Sequence, residues 1–251
     1  MSTESVMEDR DKRDMSIEET RTFWSCASKF PADKEAVYPQ HAIAHEFDEQ
    51  ARKGQRTILL PDGARVNPFY DEPARVLEYG CGGGSDTRSL LRRGAAVTFA
   101  DVTPENVNVT LQSVVGQGRN ATALYLETSQ VIGVADGYFD SINCHGVLHH
   151  IPEPTMHEVI AEFYRVLKPG GHLYAMLYTE HLFSRLQMSV EHLVARGWSY
   201  DRAFSHFTDG GGIARSYSLG GGRELFEHHG FTFVSAIEYN ERDFRTFKVR
   251  K

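Results

Sequence analysis

The chain has 251 residues, enough for one large α/β domain with a substantial core. Its 41% hydrophobic and 24% charged content is that of an ordinary globular protein. The net charge of −7 argues against long phosphate-backbone contacts and so against a nucleic-acid partner, and no apolar run approaches the ~20 residues of a membrane span.

Read in chain order, residues 1–15 are polar and read as a disordered leader with no secretory pattern. Ser16-Ile17-Glu18-Glu19 has the form of a capping box that opens a helix carrying Phe23 and Trp24. A further helix is expected over His41 to Arg52. Residues 57–66, with Pro61-Asp62-Gly63 at the turn, read as a small hairpin. Residues 16–72 together read as an N-terminal cap.

From residue 73 the pattern becomes alternating strand and helix. Arg75-Val76-Leu77-Glu78 is a short strand that stops at Gly80-Cys81-Gly82-Gly83-Gly84, and a helix opens at Ser85. Glycine lets the backbone take positive φ and approach a ligand closely, and a helix start offers free N–H groups. Ala96 to Ala100 is a second strand ending in Asp101, 19 positions after Gly82, near the spacing at which a carboxylate meets ribose hydroxyls in nucleotide-binding α/β folds. Ala121 to Leu126 is a third strand and Tyr138 to His145 a fourth. A helix over Thr155–Leu167 ends in a Lys168-Pro169-Gly170-Gly171 turn, after which His172 to Tyr178 form a fifth strand. Helices over Leu182–Arg196 and Trp198–Phe207, a mobile loop at Thr208 to Gly212, a last helix over Arg223–His229 and an antiparallel pair at Phe231–Tyr239 and Phe244–Val249 complete the chain.

A dinucleotide fingerprint would need a third glycine at position 85, which is Ser85. The motif is instead Glu78-x-Gly80-x-Gly82-x-Gly84. With Phe139-Asp140, Val147-Leu148-His149-His150-Ile151-Pro152 and Arg165 to Gly171 following in order, residues 75–178 resemble the class I S-adenosylmethionine-dependent methyltransferases of the small-molecule type. The resemblance implies an α/β fold with a seven-stranded, mostly parallel sheet and helices on both faces. It implies a cofactor domain at 73–251, with a substrate lid inserted at 180–218.

It also implies S-adenosyl-L-methionine as cofactor and S-adenosyl-L-homocysteine as product. Gly80, Cys81 and Gly82 would lie along the methionine part. Asp101 would take the ribose hydroxyls, Val102 the adenine face and Glu127 the adenine amino group. Thr128 would offer a backbone N–H, and His145 would stand near the methionine part. Glu78 would orient the loop or meet the ammonium group.

A hydroxyl or amine acceptor must lose a proton, so a general base helps, and histidine suits neutral pH. His149 is the first candidate and His150 the second, with His206, Asp209, His41 and His45 as alternatives. Tyr38, His41, Tyr178, His206 and Tyr217 are candidate acceptor contacts. The paired histidine spacings lack the partners of a metal site, so no metal is expected. Cys26, Cys81 and Cys144 are widely spaced and fit a reducing cytoplasm.

The expected activity is methylation of an oxygen or nitrogen on a small acceptor by a monomer or homodimer. No N-P-P-Y or D-P-P-Y stretch, the mark of enzymes that methylate nucleobase amines, follows the fourth strand. A methyltransferase of RNA or protein, or a non-catalytic binding protein on the same fold, are the alternatives.

Overall fold

The computed structural model describes residues 16–25, 58–59, 65–66, 74–115, 120–239 and 241–251. The expected leader, the helix over residues 41–52, and Tyr38, His41 and His45 lie outside them. Ser16 caps helix α1 (Ile17–Trp24) as expected: its hydroxyl accepts from the Glu19 amide at 3.2 Å, and Glu19 Oε2 accepts from the Ser16 amide at 2.9 Å. Strands β1 (Ile58–Leu59) and β2 (Arg65–Val66) pair antiparallel, Ile58 opposite Val66.

The main body begins with β3 (Arg75–Tyr79), α2 (Ser85–Arg92), β4 (Ala96–Asp101), α3 (Pro104–Val114) and β5 (Ala121–Tyr125). It continues with β6 (Phe139–His145), a 3₁₀ turn (Leu148–His150), α4 (Glu153–Val166) and β7 (Leu167–Thr179). Then come α5 (Glu180–Val194), α6 (Tyr200–Thr208), β8 (Ser216–Tyr217), α7 (Leu219–His228), β9 (Thr232–Tyr239) and β10 (Phe244–Arg250).

The sheet runs β5-β4-β3-β6-β7-β10-β9, parallel from β5 to β7 and antiparallel where β10 meets β7 and β9. Successive strand residues face opposite sides. Val76 therefore enters one core with Leu90, Val97, Phe99 and Val107, while Leu77 enters the other with Ile142, Ile160, Phe163 and Phe226. Burial on both faces is what parallel interior strands require. Helices α2 and α3 cover one face, and α4 and α7 the other. No helix among the described residues is long and apolar enough to cross a membrane.

Three expectations need correction. Among the described residues the sheet has eight strands rather than seven: β7 extends to Thr179, and Tyr178 and Thr179 pair with the two residues of β8. The fifth strand begins at Leu167 rather than His172, because the Pro169-Gly170-Gly171 stretch stays in the strand, with Leu167 opposite Phe139 and Gly170 at φ +79°. Helix α7 begins at Leu219, four residues before Arg223, because the Ser218 hydroxyl accepts from the Gly221 amide at 2.9 Å and caps it.

That early start puts Gly222 inside the helix, against buried Phe247. A Cβ there would stand 2.2 Å from Phe247 Cζ, whereas one at Gly220 would meet nothing nearer than 3.9 Å. Alanine gains about 1 kcal/mol of helix propensity over glycine, but overpacking costs about 1–3 kcal/mol. Gly222→Ala is therefore expected to lower the melting temperature and Gly220→Ala to hold or raise it, as read by thermal denaturation.

Candidate functional site

The strand order reverses at β3, which lies between β4 and β6. Ligands of open α/β sheets bind outside the carboxyl ends of the strands at such a point. Parallel pairing sets Tyr79 beside Ala100, so the glycine loop and Asp101 leave the sheet at one level. The Gly80 and Cys81 amides both donate to the Ala100 carbonyl, at 2.8 and 3.0 Å. Gly80 has φ +80°, and a Cβ there would overlap Val147 at 2.2 Å, so this turn needs glycine.

Asp101 organises the loop. Its Oδ2 accepts from the Gly82 amide and from Asn106 Nδ2, each at 3.1 Å, and its Oδ1 accepts from the Thr103 amide at 2.9 Å. Burial raises the Asp101 pKa, and the Thr103 and Gly82 amides and the Asn106 side chain oppose that rise. A carboxylate has about four acceptor positions, so three bonds leave capacity for a ligand hydroxyl. This acceptor fits the hydroxyls of a ribose. Glu78 is buried beneath the loop and accepts from the Thr87 hydroxyl. Burial, then the charge of Asp86, holds its pKa well above the usual carboxylate range.

Val102 is half-buried beside this loop, whereas Glu127 and Thr128 are exposed just beyond β5. One contact here was not anticipated from the sequence. Arg21 reaches from α1 to both strand ends: its Nε donates to the Val102 carbonyl at 2.9 Å and its Nη2 to the Glu127 carbonyl at 2.7 Å. Those partners lie 81 and 106 positions away, so no local pattern announces them.

His145 ends β6, half-buried, and a turn at Gly146 (φ +72°) leads into the histidine pair. The two histidines stand in different surroundings. His149 is fully buried between His150 and Tyr178, its ring centroid 4.1 Å from each. Neither of its ring nitrogens has a well-formed hydrogen bond. Burial above all, then the neighbouring charges of His150 and His145, holds its pKa well below 6.5, while the Met176 backbone opposes this weakly.

His150 keeps a small exposed edge beside Trp24, 4.6 Å away between ring centroids. Its Nδ1 is 2.8 Å from the Ile213 carbonyl. A carbonyl only accepts, so Nδ1 carries the proton and Nε2 holds the lone pair of the neutral ring. Asp209 Oδ1 lies 4.0 Å from that Nε2 and accepts from the Tyr178 hydroxyl at 2.9 Å. The loop over Thr208–Gly212 is thus tied down by Tyr178, and by Ser205, whose hydroxyl donates to the Gly211 carbonyl.

Tyr178, His149 and His150 are therefore brought together, with Asp209 and Trp24. His206 is not: it is exposed on α6 and packs against Trp198 and Phe207. Tyr217 turns its hydroxyl toward Met156 Sδ at 3.3 Å, on the main core.

The buried neutral state of His149 has a consequence for stability. The unfolded chain protonates this group below about pH 6.5, and the folded chain does so only at much lower pH. Its contribution is full above about pH 6.5 and is lost as pH falls from there toward the folded-state value, at up to about 1.4 kcal/mol per pH unit for one proton. His149→Phe is expected to flatten the fall in stability between pH 6.5 and 5, measured by urea denaturation across that range.

Residues 77–175 match the family model described as "Methyltransferase domain". Over 101 residues the chain is 37% identical to a ubiquinone biosynthesis O-methyltransferase of Xanthomonas euvesicatoria pv. vesicatoria, a match covering 40% of this chain and 41% of that protein. A Xylella fastidiosa protein of the same name is 34% identical, with 40% of each chain covered. The chain thus spans about two-fifths of the length of these curated relatives.

Among solved structures, an S-adenosylmethionine-dependent methyltransferase of Methanosarcina mazei superposes with a TM-score of 0.59 at 20% identity, over 73% of this chain and 94% of that one. The 1,6-didemethyltoxoflavin-N1-methyltransferase of Burkholderia thailandensis, solved with its acceptor and S-adenosylhomocysteine, also gives 0.59, at 18% identity over 96% of this chain and 92% of that one. Residues 77–175 thus match a methyltransferase domain, and the chain shares the α/β fold of these solved methyltransferases.

Proposed function

We propose that the chain transfers the methyl group of S-adenosylmethionine to an oxygen or nitrogen of a small-molecule acceptor and releases S-adenosylhomocysteine. The observation that carries this reading is the bond from the Gly82 amide to Asp101 at the strand-order reversal, which sets a glycine loop against a buried acceptor of hydroxyl groups. The Burkholderia structure, which matches almost the whole chain, supports a small acceptor, as do the O-methyltransferase relatives over their shared segment.

In this reading Gly80, Cys81 and Gly82 line the methionine end with backbone, and His145 stands nearby. Asp101 holds the ribose hydroxyls, and Glu78 keeps the loop in place from below. Val102, Glu127 and Thr128 frame the adenine. The bound cofactor supplies a methyl carbon on a sulfonium, already electrophilic, so the protein supplies alignment and a proton acceptor. His150 suits the second task better than His149: its Nε2 lone pair is oriented by the Ile213 carbonyl, and the Asp209 carboxylate stands where it stabilises the imidazolium. The segment 180–218 closes the acceptor side.

The test is calorimetric titration with S-adenosylmethionine, S-adenosylhomocysteine and NAD, followed by labelled methyl transfer to a panel of phenols and amines. Micromolar binding of the first two and label in a small molecule are expected. Binding of NAD alone, or label found only in RNA or protein, would overturn the proposal.

A further inference from the structure

Helix α1 has little holding it from within. It has eight residues, none of them buried, and a helix this short is marginal on its own. It keeps its place through side chains that reach distant parts of the fold. Phe23 lies so close over Gly211 that a Cβ there would come within 3.0 Å of its ring. Trp24 packs on His150. Arg21 grips the Val102 and Glu127 carbonyls and lies over the Tyr125 ring, 5.5 Å from its centroid.

Arg21 is the least replaceable of these. Its side chain is only 19% exposed, and its rigid planar fork spans two carbonyls at once, which a lysine ammonium does not reproduce. Its pair with Glu18 is exposed on the acid's side and adds little. The ends of β4 and β5 are already paired, the Leu126 amide donating to the Asp101 carbonyl at 3.0 Å, and the fork bridges the two loops just beyond them.

We propose that Arg21 is a positioning residue for the cofactor. By holding the Val102 and Glu127 carbonyls together it sets the width of the adenosine slot, and it latches α1 across the site. The cofactor then leaves only when this grip opens. The inference rests on the S-adenosylmethionine reading of the site.

The experiment follows S-adenosylhomocysteine dissociation by stopped flow, with hydrogen exchange of residues 17–24, in the full chain and in Arg21→Met and Arg21→Lys. Charge-assisted hydrogen bonds are the stronger kind. Dissociation from Arg21→Met is expected to be on the order of tenfold faster, with a matching rise in Kd. Arg21→Lys, which keeps the charge and one donor direction, should fall between. Added S-adenosylhomocysteine should slow exchange in α1 of the wild-type chain and not of Arg21→Met. The melting temperature of the ligand-free protein should move little, since no residue of α1 is fully buried.

If the wild-type chain binds S-adenosylhomocysteine and Arg21→Met releases it at the same rate with the same protection, the latch is refuted and the cofactor reading stands. If the wild-type chain does not bind it, the cofactor reading falls and the latch falls with it.

Discussion

Asp101→Ala is expected to cut S-adenosylhomocysteine affinity by about tenfold to a hundredfold, the range of one or two hydrogen bonds to a charged acceptor. Two losses combine. The ligand hydroxyls lose their acceptor, and the Gly82 amide and Asn106 side chain lose the group that now holds them. Buried donors left without partners cost about 1–3 kcal/mol each, so ligand-free stability should fall as well.

Asp101→Asn separates the two losses, because it keeps the size and one acceptor oxygen. Its affinity should be intermediate and its stability closer to wild type. Calorimetry with S-adenosylhomocysteine and thermal melting of the same samples give both readings. Wild-type affinity in Asp101→Ala would show that the carboxylate serves the loop alone.

The second large effect is on rate. His150→Gln is expected to lower kcat by about 10²–10⁴, the usual contribution of a positioned proton acceptor, with S-adenosylhomocysteine affinity unchanged. Asp209→Asn should lower kcat less, because it acts through the imidazolium and not on the acceptor. Steady-state kinetics on whichever acceptor takes the label decides this. A His150→Gln enzyme of undiminished kcat would leave alignment as the whole of catalysis, a contribution that reaches about 7–11 kcal/mol in intramolecular models.

The strands and turns of residues 75–145 were readable because their signals are local. Glycine at positive φ, an acid at a strand end and a capping serine each act within a few residues, and β3, β4, β6, α1 and α2 formed where those signals stand. Two of the three misreadings share one cause. Pro169-Gly170-Gly171 and Gly220-Gly221-Gly222 look like breaks, yet one is an irregular stretch inside β7, its glycines bonded to Lys251, and the other lies in a helix capped by Ser218. Strand β8 is only two residues long and has no alternation to detect.

The histidine pair shows the limit most clearly. Adjacent in sequence and alike in chemistry, His149 and His150 differ only in what surrounds them. That difference comes from Tyr178, Ile213 and Asp209, residues 28 to 64 positions further along. Arg21 is legible only once the strand ends are in place.

Residues Leu182, Val190, Ala203, Phe204 and Ala214 pack into a small core of their own, distinct from the two that clothe the sheet. The family match stops at residue 175, just before that unit begins. Helices α5 and α6 are therefore held by apolar contacts of their own, so a change of side chain within that small core is expected to leave the Gly82–Asp101 contact in place.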